Sequence, residues 1–161
     1  MKKIFFGILL IITGSLSAQT MKGNWLLGGN TSFNTYIYAI GHSNAEFIFN
    51  LDAGYIILNN LALGAAVNIQ NDGHLLYEVG PFTRYYIMNL GKYAKILAQA
   101  NISRHIHGIN ATTYGGGIGM AYFINYHLAL EGIMGYSIRN FDLDEQNLNT
   151  VGVNFGFQVH F

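Results

Sequence analysis

The stretch "VGVNFGFQVHF" (residues 151–161) places an apolar side chain at every odd position. Val151, Val153, Phe155, Phe157, Val159 and Phe161 alternate with Gly152, Asn154, Gly156, Gln158 and His160. Successive side chains of a strand point to opposite faces, so this unbroken period of two predicts a β-strand with one apolar face. A soluble protein turns such a face to a core. A membrane barrel turns it to lipid. The rest of the chain decides between them.

The same alternation recurs in seven further segments of roughly 10–14 residues, near the length a tilted strand needs to cross a bilayer. The first runs over 23–34, with Trp25, Leu27, Thr31 and Phe33 against Asn24, Asn30, Ser32 and Asn34. The second (45–58) sets Phe47, Phe49, Leu51, Tyr55 and Ile57 against Glu46, Asn50 and Asp52; the third (61–70) sets Leu61, Leu63, Val67 and Ile69 against Gly64, Asn68 and Gln70. The fourth (75–88) opposes Tyr77, Val79, Tyr85 and Ile87 to Glu78, Gly80, Arg84 and Tyr86. The fifth (93–105), sixth (113–124) and seventh (127–138) repeat the pattern, and 151–161 is the eighth. "LNN" (58–60), "NLGK" (89–92) and "NYH" (125–127) read as tight turns, rich in residues that tolerate positive φ. The links at 35–44, 106–112 and 139–149 are longer, and 71–74 is a short exception. Pairing Met88 with Tyr93 around the 89–92 turn puts Arg84 opposite Leu97 and Tyr86 opposite Lys95. Pairing Ile57 with Leu61 and Ile124 with Leu128 closes the other two turns. Pro81 predicts a bulge or local kink in the fourth strand.

Composition favours lipid. Eight basic and eight acidic residues make the chain only 10% charged, where soluble domains carry about 25%. As a soluble barrel the outer face would be mostly Gly, Asn, Ser and Gln, a poor solubilising surface. Residues 1–18 read as a cleaved secretory signal peptide: Lys2 and Lys3, the apolar run Ile4–Ile12, then Ser15, Ser17 and Ala18 before Gln19. No apolar stretch reaches the about 20 residues of a spanning helix. The absence of cysteine removes disulfides and thiol-linked lipid anchors, and a net charge of zero gives no case for nucleic acid. The expectation is an all-β protein over residues 19–161: an eight-stranded antiparallel up-and-down transmembrane β-barrel, apolar side out. Its lumen is filled by small and polar side chains, with glycines making room for long residues from opposite strands. Both termini fall on the short-turn rim, which would be periplasmic, and aromatics such as Trp25, Tyr55, Tyr85, Tyr93, Tyr136 and Phe161 form the interfacial girdles.

The mature chain resembles the small outer-membrane β-barrel family, the OmpA/OmpX-like barrels, through "GNWLLGGNTSFN" (23–34), "EVGPFTRYY" (78–86) and the terminal phenylalanine. The resemblance implies the outer membrane of a Gram-negative bacterium, with membrane lipid and lipopolysaccharide as neighbours. It implies that Phe157, Val159 and Phe161 form the signal read by the barrel-assembly machinery. No peptidoglycan-binding domain follows the barrel, which weighs against cell-wall anchoring.

Five charges share the polar face: Asp52, Glu78, Arg84, Lys95 and Glu131. In so narrow a barrel they predict a salt-bridge network plugging the lumen, because buried charges need partners; a gate or proton path is the sharper alternative. "SRHIHG" (103–108) puts Ser103, His105 and His107 on one strand face as weak candidates for a metal or a nucleophile, with no carboxylate dictated by the sequence. "GHSNAEF" (41–47) invites comparison with lipid A deacylase barrels, but adjacent His42 and Ser43 point to opposite sides of an extended chain. "DLDEQN" (142–147) lacks the glycine and spacing of a calcium loop. The reading is a non-enzymatic barrel without cofactor, structural or interactive, or a subunit of a larger outer-membrane complex. A lipid A-modifying enzyme and a narrow pore are the alternatives.

Overall fold

The computed structural model describes residues 20–37, 45–71, 75–106, 110–141 and 147–161. The proposed signal peptide and the loop centres at 38–44, 72–74, 107–109 and 142–146 fall outside them, so most of the 41–47 stretch, His107 and the 142–146 acidic loop are not described. Eight strands follow in order: β1 (Trp25–Ile37), β2 (Ala45–Leu58), β3 (Leu61–Asn71), β4 (Leu75–Leu90), β5 (Ala94–His105), β6 (Ala111–Phe123), β7 (Leu128–Phe141) and β8 (Asn147–His160). Each pairs antiparallel with its neighbours, and β8 returns to β1, closing an eight-stranded up-and-down barrel. Closure leaves no unpaired strand edge, the condition for a sheet in hydrocarbon.

The faces sort as the alternation predicts. Phe155 is 57% exposed on the outer wall, whereas Gln158 and His160 are each 1% exposed inside. Several strands run past their predicted ends: β1 to Ile37, β7 to Phe141, and β8 begins at Asn147. Apolar alternation marks only the part that meets lipid, and the hydrogen-bonded ladder continues beyond it.

Ile124 faces Leu128 as expected, its N–H donating to the Leu128 carbonyl at 2.9 Å, but the other two tight turns differ from the expected pairing. Leu58 pairs with Leu61, leaving Ile57 as the displaced residue of a bulge, and Asn60 takes a positive φ of 68°. At the next turn Leu90 pairs with Ala94 around Gly91, whose φ is 77°. A bulge at Ile87 then sets Tyr86 opposite Leu97 and Arg84 opposite Gln99, two residues from the expected partners but on the predicted face. The bulge expected at Pro81 is not there. Pro81 pairs in register with Ala65, while on the β5 side the ladder passes from Val79–Arg104 to Phe82–Asn101 without a shift. A proline that skips its ladder bond needs no extra residue, so Pro81 costs pairing and not register.

Candidate functional site in the barrel lumen

The lumen has a floor, a knot and a chamber. Towards the short-turn rim its lining is apolar. Leu26, Ile56, Ala62 and Phe82 pack together from β1 to β4, and Tyr86, Leu97, Ala121, Phe123, Ala129 and Ile133 from β4 to β7. Ile56, Ala62 and Leu97 are each fully buried. The His160 ring closes the floor between Phe123 and Tyr86, with centroids 5.4 and 6.1 Å away. This floor departs from the expectation of a lumen filled by small and polar residues: at this level its filling is apolar.

Above the floor sits a knot around Arg84, whose side chain is 0% exposed. Its Nη2 donates to Asp52 Oδ2 at 3.1 Å and to Gln99 Oε1 at 2.6 Å, and its Nε donates to Gln99 Oε1 at 2.9 Å. Nη1 stands 2.9 Å from Glu131 Oε2, a close charge contact without hydrogen-bond alignment. Asp52 Oδ1 accepts from Gln158 Nε2 at 2.9 Å. Gly28 lies between these last two, paired with Asp52 on one side and Gln158 on the other. A Cβ there would stand 2.6 Å from Gln158 Nε2 and collide with Asp52 Oδ1. The glycine therefore clears room for ladder neighbours rather than for residues across the barrel. Gly115 beside Asn101, Gly152 beside Asn34 and Gly156 beside Asn30 repeat the device.

The upper lumen is polar. A cavity of about 130 Å³ is lined by Asn30, Asn50, Asn68, Asn101 and Asn154 with backbone at Gly115 and Gly117. Asn50 donates to Asn30 Oδ1 and Ser32 Oγ, both at 2.7 Å. Glu78 organises the wall on the long-loop side. Its Oε1 accepts from Arg139 Nη2 at 2.7 Å and from Thr113 at 3.4 Å; its Oε2 accepts from Ser103 at 2.8 Å and Asn68 at 3.2 Å.

The predicted five-charge network is thus divided. Asp52, Arg84 and Glu131 form the knot, and Glu78 sits in a second cluster nearer the long loops. Lys95 stands at the short-turn rim, where Nζ donates to Thr20 Oγ1 at 2.6 Å and Asn60 Oδ1 at 3.3 Å; it touches none of the three carboxylates. Ser103 and His105 both face the lumen beside Glu78, a carboxylate the sequence did not dictate. His105 Nδ1 is 3.3 Å from Glu78 Oε1. A nucleophilic relay needs the histidine between hydroxyl and carboxylate. Here the carboxylate lies between hydroxyl and histidine, so the Ser103 hydroxyl donates to Glu78 and, among the described residues, no histidine is bonded to it. Arg139 is the residue that sequence reading missed. It shares odd parity with Glu131 and Ser137, the inward face of β7, but the predicted strand stopped at 138. Phe157, Val159 and Phe161 lie on the outward face, with Phe157 and Phe161 well exposed.

No protein-family model matches the chain, and no curated protein matches it by sequence. Solved structures do match in fold. Neisserial surface protein A superposes with a TM-score of 0.66 at 16% identity, over 87% of this chain and 100% of that one. The N-terminal β-barrel domain of Pseudomonas aeruginosa OprF gives 0.63 at 12% identity, over 87% and 98%. A barrel from the de novo design of transmembrane β-barrels gives 0.59 at 18% identity, over 87% and 97%. The chain has the fold of the small outer-membrane β-barrels. That a designed barrel matches as well shows how little activity such a likeness carries.

Proposed function

We propose that residues 1–18 direct export as a signal peptide and are then cleaved, and that the mature chain resides in the outer membrane of a Gram-negative bacterium, both termini periplasmic. There it acts as a non-enzymatic barrel with a closed lumen, in a structural, envelope-integrity or interaction role. It serves alone or as a subunit of a larger membrane complex. The observation carrying this reading is the stack of apolar floor and Arg84 knot. A fully buried guanidinium held among three side-chain oxygens, Asp52 Oδ2, Gln99 Oε1 and Glu131 Oε2, and underlain by Leu26, Leu97 and Phe123 supports a plug and not a pore. Membrane lipid and lipopolysaccharide face the apolar wall, and the outward Phe157, Val159 and Phe161 are placed to be read by the assembly machinery. The arrangement of Ser103, Glu78 and His105 gives the lipid A-modifying alternative no support. Single-channel recording of the refolded mature protein tests the plug. Wild type is expected to show no steady conductance, and Arg84→Ser combined with Phe123→Ala to open one; steady conductance in wild type overturns the closed lumen.

A further inference from the structure

The short-turn rim carries cations that the barrel itself does not neutralise. Lys95 is half-buried at the lumen mouth, its two hydrogen bonds go to neutral oxygens, and its ammonium lies 6.0 Å from the Tyr86 ring. Lys95 forms no ion pair with a carboxylate among the described residues. A half-buried ammonium without a counter-charge is costly unless an anion reaches it.

The mouth beside it is a pocket lined by Lys92, Lys95, Asn59, Asn60, Asn89 and Tyr126, with no Asp or Glu among its walls. Hydrogen-bond accounting makes it donor-rich. Lys95 has no acceptor, so the Asn60 atom facing it is the carbonyl oxygen, which also accepts from the Thr20 hydroxyl at 2.6 Å. The Lys22 backbone N–H donates to Asn59 Oδ1 at 3.0 Å. Both amides therefore spend their oxygens on the N-terminal segment and keep their NH₂ groups, which only donate. Thr20, 4% exposed, is pinned in this arrangement and holds Lys95 at the pocket wall.

We propose that this pocket binds the phosphate of an anionic lipid headgroup, one that carries no cation of its own. The rim's outward aromatics, Trp25, Tyr85, Tyr93 and Tyr122, are each about half exposed and set this level of the barrel at the membrane–water boundary. Phosphodiesters are the anions most concentrated at that depth, and lysines near the surface of an anionic bilayer gain about 1 kcal/mol each from it. The proposal rests on the membrane reading above.

The test uses the full mature chain refolded into vesicles of phosphatidylcholine alone, or of equal parts phosphatidylcholine and phosphatidylglycerol, then released for native mass spectrometry. Failure to insert and close, seen as loss of the folded band on an unheated gel, strikes the membrane reading. Among folded samples, wild type is expected to retain a phosphatidylglycerol molecule. Each of Lys92→Gln and Lys95→Gln is expected to lower the retained fraction about fivefold, from about 1 kcal/mol per lysine. Lys92→Arg, which keeps the charge, is expected to retain it. Lys92 is exposed in a turn, so its variants read the site even where Lys95→Gln does not fold. Equal retention in wild type and the glutamine variants overturns the proposal. So does equal retention of the two lipids, or complete displacement by inorganic phosphate, which would make the pocket a site for a free anion.

Discussion

The two halves of the lumen solve the same problem in opposite ways. Below Arg84 the inward side chains are large and apolar, and they fill the space by contact. Above it they are small and polar, and they leave a cavity edged by asparagines and glycine backbone. Removing a side chain from the lower half leaves a void that water does not stabilise; removing one from the upper half exposes a site water can enter. The sequence of one narrow barrel therefore contains an apolar region that fixes stability and a polar region that tolerates change.

The largest test of this contrast is at the two arginines. Arg84→Leu abandons two buried carboxylates at the edge of the apolar region and is expected to cost about 3–5 kcal/mol of folding stability. Arg139→Leu abandons Glu78 beside the cavity, where Ser103, Thr113 and Asn68 still donate to it, and is expected to cost about 1 kcal/mol. Urea unfolding of the refolded barrel measures both, and equal losses would erase the distinction between the halves. A middle-sized effect is expected at Leu97→Ala, about 2–4 kcal/mol for a fully buried leucine, against under about 1 kcal/mol at Asn101→Ala. The smallest pair concerns glycines. Gly28→Ala drives a Cβ into Asp52 and Gln158 and is expected to cost about 1–3 kcal/mol. Gly132→Ala on the outer wall meets only Phe155 carbons at 3.6 and 3.7 Å and is expected to change stability by less than about 0.5 kcal/mol. Thermal shifts on unheated and heated gels rank this last pair.

The outer wall was legible because lipid imposes one rule on every outward position. Leu27, Phe33, Ile118, Met134 and Phe155 obey it, and all are exposed. The floor was less legible because both faces are apolar there. Runs such as Leu26–Leu27, Tyr85–Tyr86–Ile87 and Tyr122–Phe123–Ile124 interrupt the alternation near the short turns, and such doubled runs are the signal of a packed floor. The lumen contacts depend on register as well as parity. The pairing expected from the 89–92 turn sets Glu78 opposite Ser103, whereas the bulge at Ile87 sets it opposite His105. Parity survives a two-residue slip and partner identity does not. Arg139 followed the inward parity of its strand but sat beyond the apolar alternation used to end it.

The knot around Arg84 also changes how the barrel breathes. Backbone ladders join only adjacent strands, but Arg84 on β4 reaches Asp52 on β2, Gln99 on β5 and Glu131 on β7, and Asp52 reaches over β1 to Gln158 on β8. These bonds act as spokes meeting at a hub. Parting any two neighbouring staves, the β1–β8 seam included, strains contacts anchored on the far wall. A ring braced in this way resists fraying at one seam, and its amide protons should exchange in one concerted opening rather than strand by strand.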